Sequence, residues 1–440
     1  MRKPDWYEQA GREPFKRNHF DGSLADGVKR RMTTNKQASS RIKWYAGGAA
    51  AAVLGTAVVL ASLLPESGSS PSPLPPGQLS TSSPIAETPS SLIRMTDSNN
   101  GWSFGAASVR RTDDAGQTWT SRTPPGYDAS RFVPFVYNEQ VLWFVVRPAG
   151  EDTNWTVYRT ADGGRSWSAA ALPTQDSWTV PGINTAFHLS FLDEQTGFFV
   201  FGSDPAGGPV KTAFYQTTDG GQTWKYASKI APDGTLASTP SGMSFSDRLY
   251  GFITFFNSTD SLPEIYETST GGASWKRLAL ELPPELKDSV FVADLSPLFW
   301  GKARKEGVLS IAYRTKSNEK AGVAWFTTEN GGAVWHAVRN QAEAPTVLSK
   351  DGSAPQGFSP RTASDRTHYW MIDAEAGALY GTSNGGSDWQ MLYTSPQFRN
   401  AYELTFTDSR TGWVRGDGFL LRTEDGGRSW KEFAADPAVP

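Results

Sequence analysis

Carboxylate and amide side chains recur at one fixed place in a short phrase that this sequence repeats seven times. The phrase reads Thr, any residue, Asp or Asn, any residue, Gly, two further residues and Trp, and it first occurs as TDDAGQTW from Thr112 to Trp119. We call these phrases the octets. A carboxylate or amide so close to a Gly can accept hydrogen bonds from backbone N–H groups of its own turn. The chemistry that this spacing predicts is therefore turn closure rather than proton transfer.

Three positions of the octet have separate structural tasks. The acceptors at the third position are Asp114, Asp162, Asp219, Thr270, Asn330, Asn384 and Asp425. The fifth position suits a left-handed backbone angle and holds Gly116, Gly164, Gly221, Gly272, Gly332, Gly386 and Gly427. The eighth position begins an outgoing strand with a large ring for packing, and holds Trp119, Trp167, Trp224, Trp275, Trp335, Trp389 and Trp430. We predict that these residues are structural, and we expect the turn at Thr270 to be the loosest.

Other residue types that support catalysis or metal binding are sparse. The chain has no cysteine, so neither a disulfide framework nor a thiolate metal site can form. The histidines are His19, His188, His336 and His368, and they lack the spacing of a metal-ligand pair. We therefore predict no catalytic residue, no metal and no cofactor.

The strands that position these turns belong to a repeated unit. The octet tryptophans recur about every 50 residues, and a blade of four short strands needs on the order of 40 to 50 residues. A second phrase precedes several octets and starts at Thr96, Phe191, Phe245 and Phe406. It reads as an apolar strand, an Asp-led turn, a Gly and an aromatic residue that opens the next strand. The longest interval between octets contains the basic run GKARKEG, read as a surface insertion or as a binding loop.

These phrases resemble known propeller motifs. The octets resemble the Asp-box, or BNR repeat, found at hairpin tips in β-propellers such as sialidases, sortilin-type receptors and some xyloglucanases. Both phrases together are similar to those of the photosystem II assembly and stability factor family, over roughly residues 92–433. This resemblance implies an all-β fold, a seven-bladed β-propeller with four-stranded blades.

The region before the propeller predicts where the protein works. Residues 44–64 form an uncharged apolar run that would span about 31 Å as a helix, enough to cross a membrane. Basic residues are frequent in the tail 1–43, and the next one after the run is Arg94. The positive-inside rule then predicts a single-pass protein of the cell membrane, with a cytosolic N-terminus and an extracellular propeller.

Short segments flank the propeller. Residues 65–91 are rich in Pro and Ser, which predicts a disordered linker, and residues 434–440 form a C-terminal tail. A cleaved signal peptide is the alternative to a transmembrane signal-anchor. Its charged region is normally short, however, and its apolar core is about 7 to 15 residues, so an uncleaved anchor is favoured.

Three functions remain open at this stage. The first is a non-catalytic scaffold that binds an unidentified protein outside the membrane, because the family resemblance implies a role in assembly or stability. The second is a cell-surface module that binds or cleaves glycans, but the nearest lookalike of the sialidase Arg-Ile-Pro phrase, around Arg94, lacks the Ile-Pro. The third is a transmembrane sensor that signals through the basic tail. Nucleic acid is not an expected partner, because the formal net charge is −3 and the basic residues concentrate in the tail.

Overall fold

The described strands run from Leu92 to Phe433 and build the domain that the repeats predict. The computed structural model describes residues 92–127, 129–148, 155–172, 186–202, 210–230, 235–236, 239–256, 262–317, 319–338, 345–348 and 358–433. The predicted tail 1–43, transmembrane helix 44–64, linker 65–91 and C-terminal tail 434–440 lie outside them. Within the described part of the chain, no helix is long and apolar enough to cross a membrane.

Thirty-one strands form seven antiparallel sheets in the described residues, and each sheet is one blade. Blade one comprises β1 (Leu92–Met95), β2 (Gly101–Phe104), β3 (Val109–Thr112) and β4 (Thr120–Ser121). Blade two comprises β5 (Ala129–Val136), β6 (Leu142–Pro148), β7 (Thr156–Thr160) and β8 (Ser168–Ala171). Blade three comprises β9 (Ala186–Phe191), β10 (Gly197–Gly202), β11 (Val210–Thr217) and β12 (Lys225–Ser228), and β13 (Thr235–Leu236) also pairs with β11. Blade four comprises β14 (Pro240–Phe245), β15 (Gly251–Phe255), β16 (Ile265–Thr268) and β17 (Lys276–Arg277).

The last three blades include the least regular sheet. Blade five comprises β18 (Ser289–Val292), β19 (Leu298–Trp300), β20 (Glu306–Thr315), β21 (Lys320–Thr328), β22 (His336–Ala337) and β23 (Val347–Leu348). Blade six comprises β24 (Phe358–Ala363), β25 (Tyr369–Asp373), β26 (Ala378–Thr382) and β27 (Gln390–Thr394). Blade seven comprises β28 (Ala401–Phe406), β29 (Gly412–Gly416), β30 (Phe419–Thr423) and β31 (Lys431–Phe433). In the described ranges, the 3-10 helices Pro284–Leu286 and Pro396–Asn400 lie between blades. The prediction of an all-β, seven-bladed propeller with four-stranded blades is confirmed.

Burial follows the order of strands within a blade. Most second strands are buried along their length, as in the apolar GFFVFG of β10, because neighbouring blades cover both of their faces. The fourth strands β4 and β17 are exposed. First strands of adjacent blades lie next to each other, β5 with β9, β9 with β14 and β24 with β28. The first strands therefore line the central channel, and the fourth strands form the rim.

The antiparallel order assigns the turns to two faces. The turn between the first and second strands and the octet between the third and fourth strands lie at the same end of every blade. They are joined by a backbone hydrogen bond, such as Gly163 N to Gln140 O at 2.9 Å in blade two and Gly426 N to Arg410 O at 2.8 Å in blade seven. We call this end the octet face and the other end the opposite face.

Side-chain packing closes the ring. All four strands of blades one and seven are consecutive in the sequence, so among the described residues no strand is exchanged between the first and last blades. Buried Ile93 of β1 packs in one cluster with Trp413 and Leu420 of blade seven. The guanidinium of Arg422 also donates to Ser98 O at 3.2 Å, and Arg94 pairs with Glu403.

Candidate functional site

The octet acceptors close their own turns. In blade two, the Thr160 hydroxyl donates to Asp162 Oδ1 at 2.9 Å and accepts from the Gly164 N–H at 2.9 Å. The same Oδ1 accepts from Ser166 N at 2.9 Å, and Oδ2 accepts from the Ser166 hydroxyl at 2.6 Å. These bonds, first of all the one from the Ser166 hydroxyl, lower the pKa of Asp162 to about 2. A carboxylate held in this way is an acceptor at neutral pH and a poor proton donor.

In blade four, the octet has Thr270 in place of the Asp or Asn. The Thr270 hydroxyl takes the place of the carboxylate and accepts from Ser274 N at 3.0 Å. Its oxygen also lies 3.0 Å from the Ser274 hydroxyl and 3.3 Å from the Thr268 hydroxyl. The turn keeps its pattern, but one hydroxyl oxygen now serves the contacts that two carboxylate oxygens share elsewhere.

The octet backbone has left-handed angles at two successive residues. The fifth-position glycines have φ between +78° at Gly164 and +97° at Gly427. The fourth position is also left-handed, with φ of 65° at Ala115 and 71° at Gly163. The fourth-position N–H is the group that bonds the neighbouring turn on the octet face. From the sequence alone, a conformational reason was predicted only for the fifth position.

The octet tryptophans pack where blades meet. Trp224 approaches Phe191 and Phe199 edge-on, with ring centroids 6.0 and 6.1 Å away. The indole N–H of Trp167 donates to Arg122 O of blade one at 2.9 Å, which joins two blades. The predicted octet residues are thus distributed one set per blade, and the structure does not bring them together at any one site.

The strongest irregularity in the ring lies at the inner strand of blade five. This strand is divided into β18 and β19, with Ala293–Pro297 between them, and both halves pair with β20. A cavity of about 180 Å³ lies beside the interruption, between blades five and six. Its lining residues include Leu298, Val308, Ser310, Trp325, Arg361 and Thr362. Leu298 is 39% exposed, so the cavity is not sealed from solvent.

A buried ion pair forms one wall of this cavity. Arg361 of β24 donates through Nη1 to Asp294 Oδ2 at 3.0 Å, and its Nη2 bonds Asp294 Oδ1. Arg361 Nε donates to the Ser310 hydroxyl at 3.0 Å, and Nη2 donates to Ser310 O at 3.3 Å. The two charged side chains are 1% and 7% exposed. A forked pair of this kind holds a planar geometry, and removal of one member would leave a buried charge without a partner. Sequence reasoning missed this pair, because Asp294 and Arg361 are far apart in the chain and belong to no repeated phrase.

A second, polar pocket lies on the octet face between blades six and seven. It has a volume of about 120 Å³, and its lining includes His368, Trp370, Asn384, Asp388, Gln390 and Arg428. His368 Nδ1 lies 2.9 Å from Asp365 Oδ2. Burial favours the protonated form of Asp365, but hydrogen bonds led by the one from the Thr367 hydroxyl outweigh it and lower the pKa of Asp365 to about 2.

The remaining candidate residues have contacts within the protein. His188 Nε2 lies 3.1 Å from Pro240 O, and His336 is in β22. His19 lies outside the described residues. Searching the described ranges finds no group of three or more side chains that could hold a metal ion.

Comparison with known sequences finds distant relatives. No family model matches the chain. The photosystem II stability/assembly factor HCF136 of Arabidopsis thaliana is 22% identical over 301 residues, which are 64% of this chain and 64% of that protein. The photosystem II assembly protein Ycf48 of Thermosynechococcus vestitus is 25% identical over 298 residues, 62% of this chain and 77% of that protein. A xyloglucanase of Hypocrea jecorina is 23% identical over 62% of this chain and 33% of the enzyme. The alignment thus spans less than two thirds of HCF136 and a third of the xyloglucanase.

Comparison with solved structures finds a fold likeness with a TM-score above 0.5. A structure described as oligogalacturonate lyase in complex with manganese has a TM-score of 0.52 at 10% identity, covering 74% of this chain and 86% of the lyase. This likeness concerns the fold alone. A structure described as YCF48 bound to D1 peptide has a TM-score of 0.41 at 19% identity, covering 70% of this chain and 88% of that one. The protein is a seven-bladed β-propeller that resembles photosystem II assembly factors.

Proposed function

We propose that the protein is a non-catalytic, membrane-anchored scaffold that binds a protein partner outside the membrane. The observation that carries the proposal is the cavity at the interrupted inner strand of blade five. Its walls combine apolar side chains with hydroxyl groups and the fixed Arg361–Asp294 pair, and its volume of about 180 Å³ suits one large side chain of a partner. Pockets of this composition orient a bound group through a few polar contacts.

Two further features support the proposal. The relatives HCF136 and Ycf48 are assembly factors, and assembly requires contact with another protein. The apolar run 44–64 and the basic residues before it favour an anchor with the propeller outside the cell membrane. The octets, in this proposal, are Asp-box repeats that build the ring and leave binding to other residues.

Crosslinking of the full-length protein in its native membranes tests this function. We expect one partner to be recovered reproducibly by mass spectrometry. Leu298→Glu should abolish its recovery, because it places a charge at the cavity mouth. Leu262→Glu is the matched control, since Leu262 is 51% exposed and does not line the cavity. Failure to recover any reproducible partner, or equal recovery with both variants, would contradict the proposal.

Glycan binding is the second candidate, and the polar pocket between blades six and seven favours it. Asn384, Gln390 and Arg428 supply amide and guanidinium groups of the kind that bind sugar hydroxyls. A glycan array probed with the full-length protein should give a signal that Gln390→Ala removes. A blank array rejects this candidate and leaves the scaffold function unaffected.

A further inference from the structure

The turn Gly301–Lys305 of blade five differs from the other turns on the octet face. It joins β19 to β20, and it contains most of the basic run that the sequence marked as an insertion or a binding loop. Lys305 Nζ pairs with Asp247 of blade four at 3.1 Å, and Lys305 O accepts from Gly331 N at 2.8 Å. Arg304 has a φ of 47°, a left-handed angle that is uncommon for a residue with a long side chain.

Arg304 reaches well beyond its own blade. Its Nη1 donates to Phe191 O at 3.4 Å, at the octet-face end of the inner strand of blade three. Burial lowers the pKa of Arg304, and an opposing contribution comes from Tyr137, which belongs to the octet-face turn of blade two. Blade four lies between blades three and five in the ring. A side chain from blade five that bonds the end of the inner strand of blade three therefore extends over the mouth of the central channel.

We propose that Gly301–Lys305 is a channel cap that closes the octet-side mouth of the channel and is held there by Arg304. The cavity between blades five and six then receives its occupant, a side chain of an extended partner segment, from the opposite face. The choice of occupant rests on the proposed function, whereas the cap does not depend on it.

The connections between strands agree with this assignment of faces. On the octet face they are all short and, apart from the turn Gly301–Lys305, repeat the same turns from blade to blade. The long connections, such as those from Ala171 to Ala186 and from Phe255 to Ile265, all leave from the opposite face. Binding residues of rigid scaffolds concentrate on the variable connections rather than on the uniform ones.

The absence of natural cysteine allows a direct test of the cap in the full-length protein. A single cysteine at Leu298 reports access to the cavity through its rate of labelling by a small maleimide. Arg304→Ala should raise this rate, because it adds a second route to the one from the opposite face, and should speed amide hydrogen exchange in residues 301–305. Arg304→Gly should do the same, because Gly suits the left-handed angle, so that the loss of the side chain and not backbone strain accounts for the effect. Lys302→Ala is the matched control, since Lys302 is exposed in the same turn.

The outcomes separate the cap from the scaffold function. Labelling and exchange rates that are equal in the Arg304 and Lys302 variants would overturn the cap. Faster amide hydrogen exchange without faster maleimide labelling would show that the turn does not close the channel, and this outcome would also refute the proposed cap. A photo-crosslinking residue should capture the partner from Ala376 on the opposite face and not from Val334 on the octet face. Capture from Val334 would refute the assignment of faces, and capture from neither position would refute the scaffold while leaving the cap intact.

Discussion

At the residue scale, the octet is a set of hydrogen bonds with an acceptor of variable strength. Asp162 offers two charged oxygens, and Thr270 offers one neutral oxygen to a turn of the same shape. Asn330 is intermediate in acceptor strength, because its Oδ1 accepts from Val334 N at 2.9 Å without a negative charge. Hydrogen bonds to an ionised acceptor are roughly twice as strong as bonds between neutral groups. The seven turns therefore differ in stability although they share one geometry.

Thr270→Asp should stabilise the protein. The new carboxylate can accept from both Ser274 N and the Ser274 hydroxyl, as the octet carboxylates of other blades do from the matching residue, and the gain should be about 1 kcal/mol. Thermal unfolding of the full-length protein measures it. The reverse change Asp219→Thr is the matched control and should lower the unfolding midpoint. A lower midpoint for Thr270→Asp would contradict this account of the turn.

Acid should destabilise the protein through the same carboxylates. The pKa values of Asp162 and Asp425 lie at about 2, below the value of about 3.9 for an unfolded Asp. A carboxylate with a lowered pKa contributes stability above the unfolded value and loses it as the pH falls toward the folded value. The unfolding midpoint should thus be constant near neutral pH and should fall between about pH 4 and pH 2. The unfolding midpoint of the double variant Asp162→Asn, Asp425→Asn should fall less steeply with pH than that of the wild type. Identical slopes for the two proteins would show that these carboxylates do not contribute to the acid sensitivity.

At the element scale, the second phrase has a steric role that the sequence analysis did not anticipate. Its Gly was interpreted as the start of a strand. In the structure, Gly197 lies directly beneath the ring of Phe191, which stacks on Trp143 of blade two with centroids 3.7 Å apart. Gly251 and Phe245 repeat the arrangement one blade later. The phrase therefore encodes an inter-blade stack, and this was unpredictable because the stacking partner comes from another repeat.

Gly197→Ala should destabilise the stack. A Cβ at this position would overlap the Phe191 ring, and overpacking of this kind costs about 1–3 kcal/mol. The unfolding midpoint should therefore fall. Phe191→Leu removes the ring, so adding Gly197→Ala to Phe191→Leu should cost less than adding it to the wild type. Equal effects in the two backgrounds would show that the ring is not the cause.

At the scale of the whole molecule, repetition made the ring predictable and also concealed the sites within it. The octets and the second phrase, with the family resemblance that they carry, predicted seven blades of four strands. The Arg361–Asp294 pair and the hydrogen bond from Arg304 to Phe191 O lie where the chain departs from its own repeat. A periodic pattern carries no information about such departures. They become visible only when blades that are distant in sequence are placed side by side.

The seam between blades seven and one should be weaker than the seams that contain a pair of stacked rings. Trp413 occupies the position of Trp143 and Trp370, but the first strand of the next blade ends in Met95, which packs against the same cluster, rather than in a Phe. Gly101 faces Met95 without a Cβ and leaves room for a larger ring. Met95→Phe should therefore restore a stack that is worth about 0.5–1.5 kcal/mol.

Two measurements test the seam. Met95→Phe should raise the thermal midpoint and slow amide hydrogen exchange in β1, because opening of the ring begins where the packing is poorest. Met391→Phe is the matched control, since Met391 is 61% exposed on an outer strand and its replacement should leave both quantities unchanged. If the amide hydrogens of β1 exchange as slowly as those of β10 in the wild type, the seam is not weak. The described part of the chain would then hold its first strand as firmly as an inner strand of blade three, with no strand exchanged among the described residues.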